Sequence, residues 1–322
     1  MAKVLLTGAT GFVGSALLAR LKKQSKIQVV VTTRKDASET DVNTVVVGDI
    51  DGATDFSVAL GDDIDTVIHC AARAHIMSDD VPDPLAEYRL INVAGTLNLA
   101  RQAARYGVKR FIFISSIKVN GESTTSKPKF NAFDMPAPLD AYGQSKAEAE
   151  QALLELSRET NMEVVVIRPT LVYGPAVKAN FASLISAVSR GIPLPFACIC
   201  NNKRSLVSVT NLVDLIVTCI EHPKAANQIF LVSDDHDVST SEMVREMAIA
   251  LGKPTWQIPV PVWCYTLAGK LFGKSDIVDR LTGTLQVDIT HTKETLGWTP
   301  KETLQEGFKK TAIAFLQSKS SR

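Results

Sequence analysis

Residues 3–14 read KVLLTGATGFVG, an apolar run that passes directly into a turn with glycine at every third position. In this pattern the first glycine allows a tight turn, the second lets the backbone approach a pyrophosphate, and the third lets the next helix pack on the strand. The anion then meets backbone N–H groups at the helix N-terminus. The stretch therefore predicts a dinucleotide site, with contacts from Gly8, Gly11, Phe12, Val13 and Gly14.

The first half of the chain alternates short apolar runs with amphipathic stretches, which is typical of buried parallel strands joined by crossover helices. Helices are predicted at 12–23, 83–106 and 142–160. The expected fold is α/β, a Rossmann-type doubly wound parallel sheet with ligands beyond the carboxyl ends of its strands. The strand candidates are 3–6, 29–32, 44–47, 66–69, 110–115, 162–167 and 228–232.

After Pro169 this alternation is lost, and prolines fall at 175, 193 and 195. We expect a smaller, discontinuous C-terminal substrate lobe there. The dinucleotide-binding domain would comprise 1–170 and 205–237, and the substrate lobe 171–204 and 238–322.

Bulk properties favour a compact enzyme that acts on a small molecule. The 322 residues are 45% hydrophobic, enough for a substantial core, and the formal net charge is only +1. Because neutralising phosphates needs a basic face, no nucleic-acid partner is expected. The five cysteines are scattered without a C-x-x-C pair, so neither a disulfide framework nor a metal site is predicted.

Neither end of the chain suggests a membrane span. The first strand follows Met1 almost at once, without the pattern of a signal peptide, and a cytoplasmic protein is expected. The apolar stretch 260–272 is interrupted by Lys270 and is too short to cross a bilayer. We interpret it as a helix and loop packed over a substrate pocket, with an interfacial amphipathic helix as the alternative.

The end of the second strand bears on the choice of dinucleotide. An NAD-selective site normally offers a carboxylate to the ribose there, whereas this chain has Thr33 followed by Arg34. A guanidinium can pair with a 2′-phosphate, so NADP(H) is favoured, while nearby Asp36 keeps NAD(H) open. Asp49, after the third strand, is a candidate for the adenine amino group.

Tyr142 and Lys146 lie four residues apart on a predicted helix and therefore share a face. The ammonium would stabilise the phenolate and lower the pKa of the tyrosine toward neutrality, making the phenol a general acid or base. Ser116 follows the strand predicted at 110–115, and its hydroxyl could bond the reacting oxygen. The order of glycine turn, serine and Tyr/Lys helix predicts hydride transfer at a carbinol or ketone.

Nearly the whole chain resembles the extended short-chain dehydrogenase/reductase family, in particular its nucleotide-sugar branch around UDP-galactose 4-epimerase. The matching motifs are Thr7-Gly8-x-x-Gly11-x-x-Gly14, Asn92-Val93-x-Gly95-Thr96, Ser115-Ser116-x-x-Val119-x-Gly121, Tyr142-x-x-x-Lys146, Arg168-Pro169-x-x-Val172-Tyr173-Gly174-Pro175 and Leu296-Gly297-Trp298-x-Pro300.

The resemblance implies a catalytic triad of Ser116, Tyr142 and Lys146, with Lys146 also holding the nicotinamide ribose. It implies a UDP-sugar substrate and a homodimer formed through the 83–106 and 142–160 helices. The expected substrate contacts are Lys118, Asn180, Arg204 and Arg280, with His75 and Met77 as further candidates for the sugar pocket. Further cofactor contacts are expected from Arg34, Asp49, Ile50, Ala71, Ala72, Arg73, Asn92, Tyr142, Lys146 and Pro169.

Departures from the family pattern narrow the reaction. Members that dehydrate nucleotide sugars carry an acidic pair after the catalytic hydroxyl residue, whereas this chain has Ile117 and Lys118, so a 4,6-dehydratase is not expected. The family's Val-Tyr-Gly is replaced by Val119-Asn120-Gly121. Two reactions at sugar C4 remain: epimerisation, and reduction of a UDP-4-keto-6-deoxy-hexosamine in surface-polysaccharide synthesis. Because Arg34 suits an exchanging NADPH, reduction is the favoured prediction.

Two other functions share these residues. An NADP-binding sensor or scaffold without turnover would need no catalytic pair, yet Tyr142 and Lys146 are both present. A steroid-type dehydrogenase would predict an apolar second-lobe pocket that lacks arginines.

Overall fold

The computed structural model of the protein describes residues 2–35, 42–61, 63–73 and 82–320, except for the side chains of residues 179 and 180. Helices and strands alternate through most of the described chain. The strands are β1 (Ala2–Thr7), β2 (Ile27–Thr33), β3 (Asn43–Val46), β4 (Thr66–His69), β5 (Arg110–Ile114), β6 (Glu163–Pro169), β7 (Leu171–Tyr173), β8 (Arg204–Ser208), β9 (Gln228–Val232) and β10 (Asp237–Val238). The α-helices are α1 (Phe12–Leu21), α2 (Ser57–Leu60), α3 (Pro84–Tyr88), α4 (Thr96–Arg105), α5 (Ala141–Glu159), α6 (Ala179–Ser189), α7 (Val209–Glu221), α8 (Thr240–Ala250), α9 (Val262–Leu271), α10 (Ser275–Thr282), α11 (Thr290–Leu296) and α12 (Leu304–Ser320).

The main sheet has seven parallel strands in the order β3-β2-β1-β4-β5-β6-β9. Leu5 on β1 lies between Val30 on β2 and Val67 on β4, so the strand order reverses direction on either side of β1. Ligands of such sheets bind at this switch point, outside the carboxyl ends of the strands. The predicted doubly wound α/β sheet is therefore confirmed, including all seven strand candidates.

Both faces of the main sheet are buried, which explains why its strands read as continuous apolar runs. Val4 and Leu6 contribute to a core on one side, against α1 and α7. Leu5, between them, points to the core on the opposite face of the sheet, which includes α4 and α5. The period-two alternation of β1 thus holds a helical layer on each face of the sheet.

The helix predicted at 83–106 is interrupted by a π-helical segment, Arg89–Gly95, between α3 and α4. Gly95 ends this segment against the loop after β3, where a Cβ atom would come within 2.8 Å of the Ile50 side chain. The absence of a side chain at Gly95 lets the helix approach that loop closely. The segment also turns Asn92 into the protein interior, where its side chain is 1% exposed.

A second core lies beyond the main sheet, around a small sheet in the order β10-β8-β7 and the helices α6, α8 and α12. Its centre is aromatic, with the rings of Tyr173 and Phe181 stacked 5.6 Å apart and Phe308 against the edge of Tyr173. Residues of α11 and Trp298 pack instead with the core of the main sheet. We propose that the substrate lobe is built on this second core, with α11 docked on the dinucleotide-binding domain.

The stretch predicted as a helix and loop forms α9, which packs against α10. Within the described residues, no helix combines the length and the apolar character that a membrane crossing requires.

One ion pair is buried between α5 and the main sheet. The Arg168 guanidinium on β6 donates to both oxygens of Glu150 on α5, and the side chains are 2% and 3% exposed. Arg168 also donates to the side chain of Asn120 at 2.9 Å, and the Ser115 hydroxyl donates to Glu150. Such a pair is costly to break, because removing one partner leaves an uncompensated charge.

We expect Arg168→Met to lower the free energy of unfolding by about 3–5 kcal/mol, because Glu150 would remain charged and buried. Combining it with Glu150→Gln removes both charges and should recover at least half of the loss. The matched control is Lys109→Met, which removes the exposed partner of Asp65 and should cost about 0–1 kcal/mol. Urea unfolding measures the free energy of unfolding of all three variants. Equal losses for Arg168→Met and Lys109→Met would contradict the view that burial makes the Arg168–Glu150 pair costly to break.

Candidate active site

A cavity of about 870 Å³ lies beyond the carboxyl ends of the main-sheet strands, between that sheet and the second core. Its walls come from the glycine turn, the ends of β4, β5 and β6, the start of α5, and the second lobe. Most predicted site residues meet here. Those that line the cavity are Gly11, Phe12, Val13, Gly14, Ala72, Ser116, Lys118, Tyr142, Lys146, Pro169, Arg204 and Arg280.

The glycine turn has the geometry that the sequence predicted. Gly8 has φ +71°, and a Cβ atom there would come within 2.6 Å of the backbone nitrogen of Ala71. A Cβ atom at Gly14 would lie 2.1 Å from the Gly8 carbonyl oxygen, whereas one at Gly11 would meet only that oxygen, at 3.2 Å. Gly8 and Gly14 are therefore required for packing, and Gly11 leaves room for a ligand.

Within the described chain, the helix that follows this turn has an uncapped N-terminus, which suits an anion. α1 begins at Phe12, and no side chain in the described residues caps it. Its first N–H groups, together with the positive end of the helix dipole, face the cavity. The open Gly11 surface and these N–H groups fit the pyrophosphate of a dinucleotide.

A buried polar chain beneath the turn was not predicted from the sequence. The Thr7 hydroxyl bonds Nδ1 of His69 at 2.7 Å, and Nε2 of His69 bonds the Thr96 hydroxyl at 3.0 Å. Burial, with Lys146 nearby, lowers the pKa of His69 to about 3, so the imidazole is neutral. The chain fixes the ends of β1 and β4 relative to α4, and hence the position of the glycine turn.

The adenosine side of the predicted site is open and polar. Arg34 and Asp49 are both largely exposed, and the guanidinium lies 3.7 Å from the Asp49 carboxylate. The buried hydroxyl of Thr33 finds no hydrogen-bond partner within the part of the chain that the structure describes. This orphaned hydroxyl at the end of β2 fits a ribose hydroxyl. Asp36 lies outside the described residues, as do His75 and Met77.

Asn92 and Arg73 are engaged within the protein. The Asn92 carboxamide accepts from the backbone N–H of Arg73 at 2.9 Å and donates to the Ser145 hydroxyl at 3.0 Å. The Arg73 guanidinium lies 3.6 Å from Glu87 and over the ring of Tyr88. We therefore propose positioning roles for both residues: Asn92 ties the loop after β4 to α5.

Tyr142 and Lys146 share the face of α5 that meets the end of β5. The Lys146 ammonium donates to the carbonyl oxygen of Ile114 at 3.0 Å and lies 6.0 Å from the centre of the Tyr142 ring. Ser116, two residues past β5, lines the same cavity, and its hydroxyl accepts from the backbone N–H of Lys118. The hydroxyl of Ser115 is bonded to Glu150, which leaves Ser116 to face a ligand.

Burial governs the charges of this pair. It lowers the pKa of Lys146 to about 8, against the opposing effects of Glu150 and Cys70. The pKa of Tyr142 is raised, first by burial and then by the Asp140 carboxylate and Tyr88. The expected lowering of the tyrosine pKa toward neutrality is therefore wrong for the protein alone, because desolvation and Asp140 outweigh an ammonium that is itself weakened by burial.

Lys118 belongs to an ionic cluster beside Tyr142. Its ammonium contacts the carboxylates of Asp140 and Glu122, and both Lys118 and Glu122 line the cavity. Asp140 also caps the N-terminus of α5 by accepting from Gly143 at 2.7 Å. Lys118 thus compensates the carboxylate that raises the pKa of Tyr142. Neither carboxylate was predicted as a site residue, because only the fold brings them to this place.

The second lobe brings two arginines to the cavity. The Arg204 guanidinium donates to the carbonyl oxygen of Arg280 at 2.7 Å, and burial followed by the charge of Arg280 lowers its pKa. Among residues 2–35, 42–61, 63–73 and 82–320, no carboxylate forms an ion pair with Arg204. Two adjacent cations in a largely buried setting suit an anionic ligand. Asn180 lies near the start of α6, and its side chain is outside the described part.

The sequence profile described as the NAD dependent epimerase/dehydratase family matches residues 4–233. The chain belongs to this family and is an extended short-chain dehydrogenase/reductase, an enzyme class whose catalytic residues occur here in one cavity. It is 65% identical to a UDP-glucose 4-epimerase from Vibrio cholerae, over 98% of this chain and 96% of that protein.

One more distant relative and one solved structure extend the comparison. A protein from Escherichia coli O157:H7 named N-acetyl-alpha-D-glucosaminyl-diphospho-ditrans,octacis-undecaprenol 4-epimerase is 29% identical, over 96% of this chain and 93% of that one. The crystal structure of a UDP-N-acetylglucosamine 4-epimerase from Bacillus cereus superposes with a TM-score of 0.80. The alignment covers 98% of this chain and 100% of that chain at 18% identity, and it shows the shared fold.

Lys146→Met should abolish activity without destabilising the protein. In the wild type, burying the ammonium below pH 8 costs about 3 kcal/mol, from the difference between the ordinary pKa of 10.5 and the folded value of about 8. Between about pH 8 and pH 10.5 the unfolded chain binds more protons than the folded protein. As the pH rises through this range, the free energy of unfolding of the wild type therefore increases relative to that of the variant. Urea unfolding of nucleotide-free protein at pH 7 and pH 10 measures this change.

The exposed Lys22→Met provides the matched control and should show no such pH dependence relative to the wild type. The expectation fails if Lys146→Met is clearly less stable than the wild type at pH 7 and the difference is the same at pH 10. In that case the buried ammonium does not destabilise the folded wild type.

Asp140→Asn and Lys118→Met should shift the pH profile of kcat in opposite directions. Asparagine keeps the helix cap but removes the negative charge, so the pKa of Tyr142 falls and the limb that depends on the phenolate moves to lower pH. Lys118→Met removes the cation that compensates the charge of Asp140, so the pKa of Tyr142 rises and the same limb moves to higher pH. Initial rates from pH 5 to 10 measure both, and shifts in the same direction would rule out this coupling.

Proposed function

We propose that the protein interconverts the C4 epimers of a UDP-hexose or UDP-N-acetylhexosamine. The observation that carries this proposal is that Ser116, Tyr142 and Lys146 line the same cavity as the Arg204 and Arg280 pair. The first set suits proton transfer at a sugar hydroxyl, and the second suits a nucleotide diphosphate. The 65% identity to a protein named UDP-glucose 4-epimerase supports the same reaction. It does not support the sequence-based preference for reduction of a 4-keto sugar.

In this proposal, Tyr142 removes the proton of the sugar 4-hydroxyl and returns it after the hydride has come back to the other face. A nicotinamide dinucleotide held by the glycine turn and Lys146 would supply the acceptor and the donor of that hydride. Ser116 hydrogen-bonds the reacting oxygen, and Lys146 holds the ribose and favours the phenolate. The sum of the two half-reactions is an inversion at C4, with no net oxidation.

Epimerisation also requires the keto sugar to turn over between the two hydride transfers. The second-lobe wall is largely apolar, with Leu184, Leu194 and Phe196 among its lining residues. Such a wall offers few hydrogen bonds that would fix one face of the sugar. Held through its diphosphate by Arg204 and Arg280, the nucleotide would stay in place while the sugar rotates.

Arg34 is the observation that keeps NADP(H) and a 4-keto reductase as the second candidate. Its guanidinium is exposed beside the predicted adenosine ribose site and could pair with a 2′-phosphate. Asp49, 3.7 Å away, opposes a 2′-phosphate and favours the unphosphorylated ribose of NAD(H). We therefore propose NAD(H) as the resident cofactor of an epimerase, and NADPH only if the protein is a reductase.

We also propose a homodimer formed through the exposed sides of α4 and α5, as the family resemblance implies. A groove of about 540 Å³ lies along α4 and the segment before it, with Arg101, Arg105 and, from α5, Glu148 among its lining residues. Its charged lining suits a polar helix-to-helix contact.

The deciding experiment is to incubate the purified protein with UDP-glucose and UDP-N-acetylglucosamine, without added nucleotide, and to follow the products by NMR. We expect the galacto epimers to form, and denaturation of the protein to release NAD⁺ or NADH. An empty site and consumption of NADPH with a UDP-4-keto sugar would instead establish the reductase.

Tyr142→Phe removes only the phenolic hydroxyl and should lower kcat by about 10²–10⁴-fold, the usual contribution of a general acid or base. Tyr106→Phe, at the end of α4 and away from the cavity, is the matched control and should retain full activity. Retained activity in Tyr142→Phe would contradict the catalytic role, whichever reaction the protein performs.

A further inference from the structure

Helix α9 and the loop before it expose an unusual amount of apolar surface. Single exposed apolar residues are normal, but a contiguous group marks an interaction site. We name this group the α9 apolar face, and its members with their exposed fractions are Trp256 (62%), Ile258 (42%), Val262 (40%), Trp263 (66%), Leu267 (60%), Leu271 (77%) and Phe272 (71%).

The orientation of α9 is fixed by its other side. Tyr265 stacks on Phe196, and Gly269 packs so closely on α10 that a Cβ atom would lie 2.8 Å from the Val278 side chain. Trp263, Leu267 and Leu271 follow one another at intervals of four residues and therefore form one stripe. The stripe faces away from the protein because α10 and the second lobe cover the opposite side.

The charges on α9 and its flanking loops are basic, whereas α10 beside it carries Asp276, Asp279 and Arg280. From Gly252 to Ser275 the chain carries Lys253, Lys270 and Lys274 and no acidic residue, although acidic and basic residues nearly balance over the whole chain. Both lysines at the C-terminal end of α9 are exposed. Apolar side chains flanked by lysines complement an anionic lipid surface, and tryptophan is enriched at the membrane–water boundary.

The same charges argue against a second copy of this chain as the occupant. A two-fold contact through the α9 apolar face would place Lys270 and Lys274 of one copy near those of the other, and the carboxylates in 252–282 are limited to Asp276 and Asp279 on α10. An anionic bilayer instead gains from every lysine, by roughly fivefold in affinity for each one near the surface.

The α9 apolar face is continuous with the rim of the substrate cavity. Ile258 donates its backbone N–H to the carbonyl oxygen of Leu194, which lines the cavity. On the other side, α10 packs on α9 and contributes Ile277 and Arg280 to the cavity wall. A surface bound through α9 would therefore lie beside the opening through which substrate enters.

We propose that the α9 apolar face docks the enzyme peripherally on an anionic phospholipid bilayer. Trp263, Leu267 and Leu271 enter the boundary between headgroups and acyl chains, while Lys270 and Lys274 contact anionic headgroups. The helix lies in the plane of the surface and does not cross it. This inference goes beyond the proposed function, because it holds for an epimerase or a reductase alike.

The test is co-sedimentation of the purified protein with vesicles of phosphatidylglycerol and phosphatidylethanolamine, compared with vesicles of phosphatidylcholine alone. We expect the wild type to bind the anionic vesicles at least tenfold more tightly. The variant Trp263→Ser/Leu267→Ser/Leu271→Ser should lose at least tenfold in that affinity. Lys270→Glu/Lys274→Glu should lose a similar factor, and the loss should disappear at high salt, where both proteins bind weakly.

Two matched controls change equivalent residues elsewhere: Val58→Ser/Ile313→Ser/Leu316→Ser for exposed apolar side chains, and Lys22→Glu/Lys23→Glu for charge. Both should bind vesicles like the wild type. All variants should keep wild-type activity on soluble substrate, which shows that they are folded and separates this test from that of the proposed function.

Three results would overturn the proposal. The first is that the wild type does not sediment with anionic vesicles, and the second is that the α9 variants bind as well as the controls. The third is that, in sedimentation velocity without lipid, the apolar variant forms a smaller species than the wild type, which would assign the face to a second copy of the chain.

Discussion

The buried carboxylate of Glu150 holds the active site together. It accepts from Arg168 on β6 and from Ser115 just after β5, so α5 is fixed to two neighbouring strands at their carboxyl ends. Tyr142, Lys146 and Glu150 follow one another at intervals of four residues along one face of α5. The anchor at Glu150 therefore sets the depth of the ammonium and, one turn further, the position of the phenol beside Ser116.

The same arrangement explains the electrostatics of the site. Burial that suits a stable core disfavours both the ammonium of Lys146 and the phenolate of Tyr142, and it leaves His69 neutral beneath the glycine turn. Asp140 raises the pKa of the phenol further while Lys118 compensates that carboxylate. The protein alone thus keeps Tyr142 protonated. The burial that helps α5 pack therefore disfavours the charged forms of Tyr142 and Lys146.

Much of the fold and part of the site could be predicted because they depend on local patterns. Continuous apolar runs identified the seven strands of the main sheet, and the glycine spacing identified the turn before α1. Residues 171–208 escaped prediction, because β7, α6 and β8 are short and their apolar residues serve a core assembled with α8 and α12. The contacts of Asn92 with Arg73 and Ser145 also escaped prediction, because these partners come from other elements.

The sequence by itself determined the doubly wound sheet, the glycine turn before α1 and the choice of candidate residues for proton transfer, because each is encoded by spacing within one or two turns or strands. Only the tertiary structure decided which of these residues are charged, paired or buried. Whether Tyr142 is acidic, whether Arg204 has a carboxylate partner and whether the apolar side of α9 is covered all depend on residues distant in the chain. Desolvation and pairing are properties of an environment, and the environment exists only once the chain has folded.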